Sequence, residues 1–198
     1  MSATVVTQAR PGVFQAPRSA GAKTFFIWAG LSLLGIPLAG YLGWGVAGHV
    51  DSVMPALIGG ALTGAGIGLA QWLMLRRSLS VGLEWIVATS AGLAVGLAIG
   101  AAVVGFETTT SQLLIMGAIQ GAFIGIAQGM VLRNKFPLWR VWMVAMPVLF
   151  AIAWVVTDVV IDSGQQFTVF GASGTVVFAI LSGLLLMVGM RREKSASA

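Results

Sequence analysis

Six long apolar stretches make up most of this chain and indicate that it folds in a lipid bilayer rather than in water. They cover approximately residues 24–47, 53–75, 85–106, 110–132, 141–161 and 167–190. Each is long enough to cross a bilayer as an α-helix, which takes about 20 residues. Lipid offers the backbone no hydrogen bonds, so spanning segments are helices or closed barrels, and continuous apolar runs favour helices. We therefore predict an all-α membrane protein with six transmembrane helices.

The basic residues predict how these helices are oriented. All eleven lie near the termini or in the second and fourth connections, at Arg10, Arg18, Lys23, Arg76, Arg77, Arg133, Lys135, Arg140, Arg191, Arg192 and Lys194. In a chain that crosses the membrane six times, the two termini and the second and fourth connections all lie on the same side of the membrane. The other side carries acidic residues and no lysine or arginine: Asp51, Glu107, Asp158 and Asp162. By the positive-inside rule, both termini are expected in the cytoplasm.

A register of 57 residues runs through the sequence. The stretch GAGIGLAQWLMLRR at 64–77 returns as GAFIGIAQGMVLRN at 121–134, and Trp28, Trp85 and Trp142 keep the same spacing. An internal repeat fixes the architecture, and repeats of two helices each enter the membrane in the same orientation. We predict three tandem parallel hairpins with pseudo-threefold symmetry, at 24–75, 81–132 and 138–190. They form one domain, 23–192, between a flexible N-terminal tail, 1–22, and a C-terminal tail, 193–198.

Glycines spaced by four residues predict how the hairpins pack. Small residues at this spacing share one helix face and let two backbones approach closely. The helix-packing set is Gly60, Gly64, Gly68, Gly92, Gly96, Gly100, Gly117, Gly121 and Gly125. The third hairpin carries Leu149, Trp154 and Phe178 instead, which indicates looser packing or an outward apolar face that docks another membrane helix.

Tryptophans near the basic ends of the helices are typical of an aromatic belt at the membrane boundary. This interpretation covers Trp28, Trp72, Trp85, Trp139 and Trp142. Trp154 is the exception, since it lies near the middle of a helix.

Three glutamines are the polar candidates inside the membrane. Gln71 and Gln128 follow the glycine ladders, and Gln120 lies in the fourth helix. Such amides either join helices by hydrogen bonds worth about 0.6–2 kcal/mol or form a polar ring that selects a solute. Leu185 occupies the third equivalent position and interrupts a ring.

Asp158 is the remaining candidate, because intramembrane carboxylates are costly and often functional. If the fifth helix ends early, Asp158 is an interfacial residue instead. His49 and Asp51 are too few ligands for a metal site, which needs three or four. The chain has no cysteine and a single histidine, so we expect no catalytic residues, no metal site and no enzyme. The sequence leaves the identity of any cofactor unknown.

The phrases AQWLMLRR at 70–77, AQGMVLRN at 127–134 and EWIVATSAGLAVG at 84–96 carry a family resemblance. The chain resembles a loose group of bacterial multi-pass proteins that repeat Q-W-x-x-L-R and then W-x-x-A-T-x-x-G. It departs from them at Gly129, where tryptophan is expected, and in the third hairpin. The resemblance implies the same fold and a bacterial inner membrane. It implies no activity and no site residue.

Packing and boundary residues far outnumber polar interior residues, which favours a non-enzymatic accessory or scaffold subunit of a membrane complex. The expected partners are the lipid bilayer and a membrane protein or a second copy, and not nucleic acid. One alternative is a small-solute channel or transporter along the pseudo-threefold axis. Another is a pigment- or haem-associated subunit, although His49 is the only imidazole ligand.

Overall fold

The computed structural model describes residues 19–160 and 166–196. In these ranges the chain forms six helices, α1 Ser19–Ala47, α2 Val53–Ser78, α3 Glu84–Val103, α4 Thr110–Leu132, α5 Trp139–Val160 and α6 Ala172–Ala196. Each contains a stretch long and apolar enough to cross a membrane. The predicted class, a helical multi-pass membrane protein, is therefore confirmed.

Part of each predicted tail belongs to a helix in the structure. Residues 1–18 and 197–198 lie outside the described residues, so nothing follows for most of the N-terminal tail. Residues 19–22 belong to the first turn of α1, and residues 193–196 belong to α6. Both helices thus begin or end beyond the apolar stretch that predicts them.

The six helices pack in chain order as a closed ring. Each contacts the helix before it and the helix after it, and α6 returns to contact α1. The outer surface is covered by exposed aliphatic side chains such as Leu34, Val144 and Val159. This is the surface that hydrocarbon requires, since lipid chains are as apolar as leucine.

The glycines of the predicted packing set lie where neighbouring helices come closest. At all nine of them, an added Cβ would lie within 3.0 Å of an atom of the next helix. At Gly64 the Cβ would stand 2.6 Å from Ser90 Cα, and at Gly96 it would stand 2.9 Å from Gln120 Cα. No side chain fits there, so the backbones themselves are in contact.

The first helix of each of the first two hairpins is followed by a similar glycine turn. Gly48 after α1 and Gly105 after α3 have φ of 77° and 66°, the left-handed conformation in which glycine is favoured at helix ends. Ser52 and Thr109 then precede α2 and α4, and Thr109 forms a capping box with Gln112. The Thr109 N–H donates to Gln112 Oε1 at 3.1 Å, which satisfies a backbone N–H group at the start of α4.

The third hairpin departs from this pattern. The apolar stretch predicts a sixth helix from residue 167, but α6 begins at Ala172. Gln166 stands at the register position of Ser52 and Thr109, and its φ of 50° is not the extended backbone of an N-cap. The chain from 166 to 171, which we call the inserted segment, therefore runs non-helically inside the ring, with Thr168, Val169 and Phe170 buried.

The large residues of the third hairpin surround this segment. Leu149, Trp154 and Phe178 are 7%, 1% and 3% exposed, so the expectation that they form an outward docking face is wrong. Phe170 of the inserted segment packs 5.6 Å from Phe178 and 6.4 Å from Trp154, measured between ring centroids. In the third hairpin these large side chains stand in place of small ones because they fill the space around the inserted segment.

Candidate functional site

Three tryptophans meet in the middle of the ring. We call Trp28, Trp85 and Trp142 the tryptophan layer. Each is 0% exposed, and Trp142 lies 5.9 Å from Trp28 and 6.3 Å from Trp85 between ring centroids. They come from α1, α3 and α5, which alternate around the ring, so their contact places them inside it. The prediction that these three belong to a boundary belt is therefore wrong.

Each indole of the tryptophan layer donates a hydrogen bond to the second helix of another hairpin. Trp85 Nε1 donates to Gln71 Oε1 at 3.2 Å, and Trp142 Nε1 donates to Gln128 Oε1 at 3.0 Å. Trp28 Nε1 donates to Ser182 Oγ at 2.9 Å. Ser182 lies one turn before Leu185 on α6, so a hydroxyl takes the place of the missing third glutamine. These bonds join all three hairpins around the layer.

Gln128 extends the layer into a chain of hydrogen bonds. Its Nε2 donates to Thr89 Oγ1 at 3.0 Å, and Thr89 Oγ1 donates to the Trp85 carbonyl at 2.8 Å. The register equivalent of Thr89 is Ser32, whose buried hydroxyl has no hydrogen-bond partner among the described residues. The network is thus more complete on the α3–α5 side of the ring than on the α1 side.

A second polar cluster holds the inserted segment. Gln120 accepts from Trp154 Nε1 at 2.8 Å and donates its own Nε2 to the Thr168 carbonyl at 3.1 Å. The hydroxyls of Thr168 and Thr63 lie 2.8 Å apart. Gln166 Nε2 donates to the Phe106 carbonyl at 3.0 Å. Non-helical backbone at membrane depth requires protein partners of this kind, because lipid supplies none.

Asp158 lies at the end of the ring opposite the arginines. It is half-buried, and its Oδ2 accepts a hydrogen bond of 2.6 Å from Thr110 Oγ1. The carboxylate therefore joins the last turn of α5 to the first turn of α4. Because Asp51 and Glu107 also lie at this end, we call it the acidic end.

His49 is exposed, with its ring 5.8 Å from that of Trp44. Within 19–160 and 166–196, no group of three or more histidine, aspartate or glutamate side chains is placed to hold a metal ion.

The arginine-rich end carries the boundary features that the sequence predicts. Trp72 and Trp139 are half-buried, and the Arg76 and Arg140 guanidinium carbons lie 4.6 and 5.0 Å from their ring centroids. Cation–π contact at this distance is favourable.

Two further residues of the arginine-rich end were missed by sequence reasoning. Lys135 forms a 2.7 Å salt bridge with Glu84. Phe136 turns inward and packs 6.4 Å from Trp142. Their only signal is their place in a short connection, which does not show the direction in which a side chain points.

The polar side chains buried inside the ring are thus indoles, amides and hydroxyls, and most of them bond to one another or to backbone carbonyls. Compared with protein-family models, with curated proteins and with solved structures, the chain matches none of them. The function is therefore inferred from the residues of the chain itself.

Proposed function

We propose that this chain is a non-enzymatic accessory or scaffold subunit of a complex in a bacterial cytoplasmic membrane. The observation that carries the proposal is the filled interior of the ring. A protein that moves a solute or converts a substrate needs a cavity for it, whereas packed side chains occupy the axis of this ring. Its lipid-facing outer surface is then the part available to a membrane-protein partner or to a second copy.

Packed side chains follow one another along the axis. Phe136 closes the arginine-rich end against the tryptophan layer, and Phe136 is 2% exposed. Phe150, Phe170 and Phe178 pack together further along, with centroid distances of 5.1 to 5.6 Å. The inserted segment, to which Phe170 belongs, also fills the space beside Thr63 and Gln120. Interiors packed in this way leave few voids larger than a water molecule.

The interior polar groups also support a non-enzymatic role. A catalytic side chain needs a base, an acid or a nucleophile within reach of a substrate. Gln71, Gln120 and Gln128 instead accept hydrogen bonds from indoles that lie within the protein. Amides used in this way join helices, which is the first of the two roles that the sequence allows.

The same bonds support three parallel hairpin repeats around an axis along the membrane normal. Trp85 bonds to Gln71 and Trp142 bonds to Gln128, and both members of the second pair lie 57 residues after those of the first. Ser182 closes the cycle through Trp28. The positive-inside rule then puts the arginine-rich end and both termini in the cytoplasm.

Reporter fusions test this orientation. A reporter that is active only in the cytoplasm is expected to be active when fused after residue 198 or inserted after Arg77, and inactive when inserted after Asp51. Activity at all three sites, or only after Asp51, would show that the charge distribution does not set the topology.

The inserted segment favours a second candidate, a small-solute channel that is closed in this conformation. Transporter sites commonly combine broken helices with polar groups near the membrane midplane. Here a non-helical stretch meets Thr63 and Gln120 inside the ring. A displaced segment would expose those groups to a solute.

Flux measurements separate the two candidates. Purified protein in liposomes is expected to pass no more ion or small solute than empty vesicles do, and cross-linking in native membranes is expected to capture a specific partner or a second copy. The control is the Thr63→Val, Gln120→Leu double variant, which removes the polar groups that a displaced inserted segment would expose. Wild-type flux that this variant abolishes would refute the scaffold role and establish the channel.

A further inference from the structure

An apolar groove of about 440 Å³ opens on the lipid-facing surface between α4 and α5. Its lining includes Leu114, Ala118, Pro147, Ala151, Ile152 and Val155, and no polar side chain contributes to it. Small-molecule sites in proteins usually measure about 300–1,000 Å³. The groove is therefore large enough to hold a ligand.

The groove arises from how closely the two helices approach. At Gly121 an added Cβ would stand 2.8 Å from Pro147 Cα, and at Gly117 it would stand 3.1 Å from Ala151 Cα. With the backbones in contact, the floor of the groove is formed by the small side chains of Ala118 and Ala151. Larger aliphatic side chains form its walls.

The helix faces that form the groove continue to a polar pair at the acidic end. Thr110, Leu114 and Ala118 are spaced by four residues on α4, and Ala151, Val155 and Asp158 are spaced by four and three on α5. Residues at these spacings share a helix face. The faces that line the groove therefore lead to the hydrogen-bonded Thr110–Asp158 pair at the acidic end. An apolar groove whose helix faces continue to a carboxylate matches a ligand with a hydrocarbon chain and a cationic head.

We propose that the groove binds one acyl chain of a membrane phospholipid whose headgroup carries a primary ammonium, and that this ammonium pairs with Asp158. The bilayer supplies such chains at high local concentration. The charges at this end select the headgroup, since Asp51, Glu107 and Asp158 are acidic and the connections there carry no lysine or arginine. An anionic headgroup would be repelled, and a quaternary ammonium would lack the N–H donors that a carboxylate accepts.

Native mass spectrometry of the full-length protein tests the headgroup. The purified protein is equilibrated with equal amounts of phosphatidylethanolamine, phosphatidylglycerol and phosphatidylcholine that have identical acyl chains. The first lipid is expected to be retained several-fold more than the other two. Asp158→Asn removes the charge while still accepting the Thr110 hydrogen bond, so it is expected to bring the three lipids close to equal retention. Equal retention by the wild-type protein would overturn the proposal.

A matched pair of tryptophan variants tests the groove itself. Ile152→Trp fills the groove, whereas Ile99→Trp places the same change on α3 at similar exposure, 42% against 39%. Both side chains face lipid, so neither change crowds the interior. Ile152→Trp is expected to lose bound lipid of every headgroup, and Ile99→Trp to keep it. Unchanged retention in Ile152→Trp, or a lipid-free dimer that Ile152→Trp dissociates, would show that something other than an acyl chain covers the groove.

Discussion

Trp142→Ala is expected to lower the free energy of unfolding by about 3 kcal/mol. Burial of Trp142 is complete, and it contacts the other two indoles and Phe136. Replacing a core Trp by Ala in soluble proteins costs about 3–5 kcal/mol. We expect the lower end, because an unfolded helix in a membrane already has its side chains in lipid and only the packing is lost. Thermal or denaturant unfolding in mild detergent measures this change.

Trp139→Ala is the matched control for this experiment. Trp139 lies one turn earlier on α5 and is only half-buried. It contacts the edge of the core and Arg140, so its removal is expected to cost about 1 kcal/mol. Equal losses in the two variants would contradict the central position of Trp142.

The hydrogen bond of Trp142 can be measured separately with Trp142→Phe, Gln128→Leu and their combination. Each single change leaves a buried partner unpaired, so the double variant is expected to lose less than the sum of the two. A strictly additive result would show that the Trp142–Gln128 bond contributes nothing to stability.

Gly64→Leu is expected to destabilise the protein by about 1–3 kcal/mol, because overpacking forces backbones apart. Where a Cβ would stand at this position, Ser90 Cα and the Thr89 carbonyl oxygen lie 2.6 and 2.7 Å away. Backbone atoms cannot turn aside as a flexible side chain does. The same reasoning applies to Gly68, Gly121 and Gly125, and the melting temperature in detergent is the measurement.

Gly30→Leu is the control for the glycine series. Gly30 lies inside α1, and no atom stands within 4 Å of the Cβ that it would acquire. Leucine is a better helix former than glycine by nearly 1 kcal/mol, so this variant is expected to be as stable as the wild type or slightly more stable. Equal destabilisation at Gly30 and Gly64 would mean that helix contacts do not explain the glycines.

The number and approximate position of the helices follow from hydropathy alone, because the bilayer imposes them. Hydrocarbon provides no hydrogen bonds to backbone N–H and C=O groups, so a long apolar stretch forms a helix in most cases. The exception is informative. Residues 167–171 are as apolar as a helix requires but stay non-helical, because Gln120 and the other helices supply the hydrogen bonds that lipid lacks. Hydropathy does not show whether an apolar segment is surrounded by lipid or by other parts of the protein that can hydrogen-bond to its backbone.

Hydropathy shows the depth of a side chain but not the direction in which it points. Trp142 and Trp139 lie at nearly the same depth on α5, and one is buried while the other is half-exposed. The 57-residue register carries the missing signal. Trp28, Trp85 and Trp142 share that register, whereas Trp139 has Gly82 at its equivalent position. A tryptophan that recurs at this spacing on three helices is more simply explained by contact between those helices than by contact with lipid.

The hydrogen bond from Trp28 to Ser182 spans 154 residues of chain, and this separation bears on how the protein is made. Contacts distant in sequence form late, since the chain between them must first be ordered. Because α1 is synthesised before α6, its indole is expected to form this bond only after the helices between them have been made. Until α6 is in place, the ring lacks the contacts that α6 makes with α1 and α5. The final hairpin brings both the inserted segment and the closing helix, so the bonds of Trp28 to Ser182 and of Gln120 to Thr168 are expected to form last.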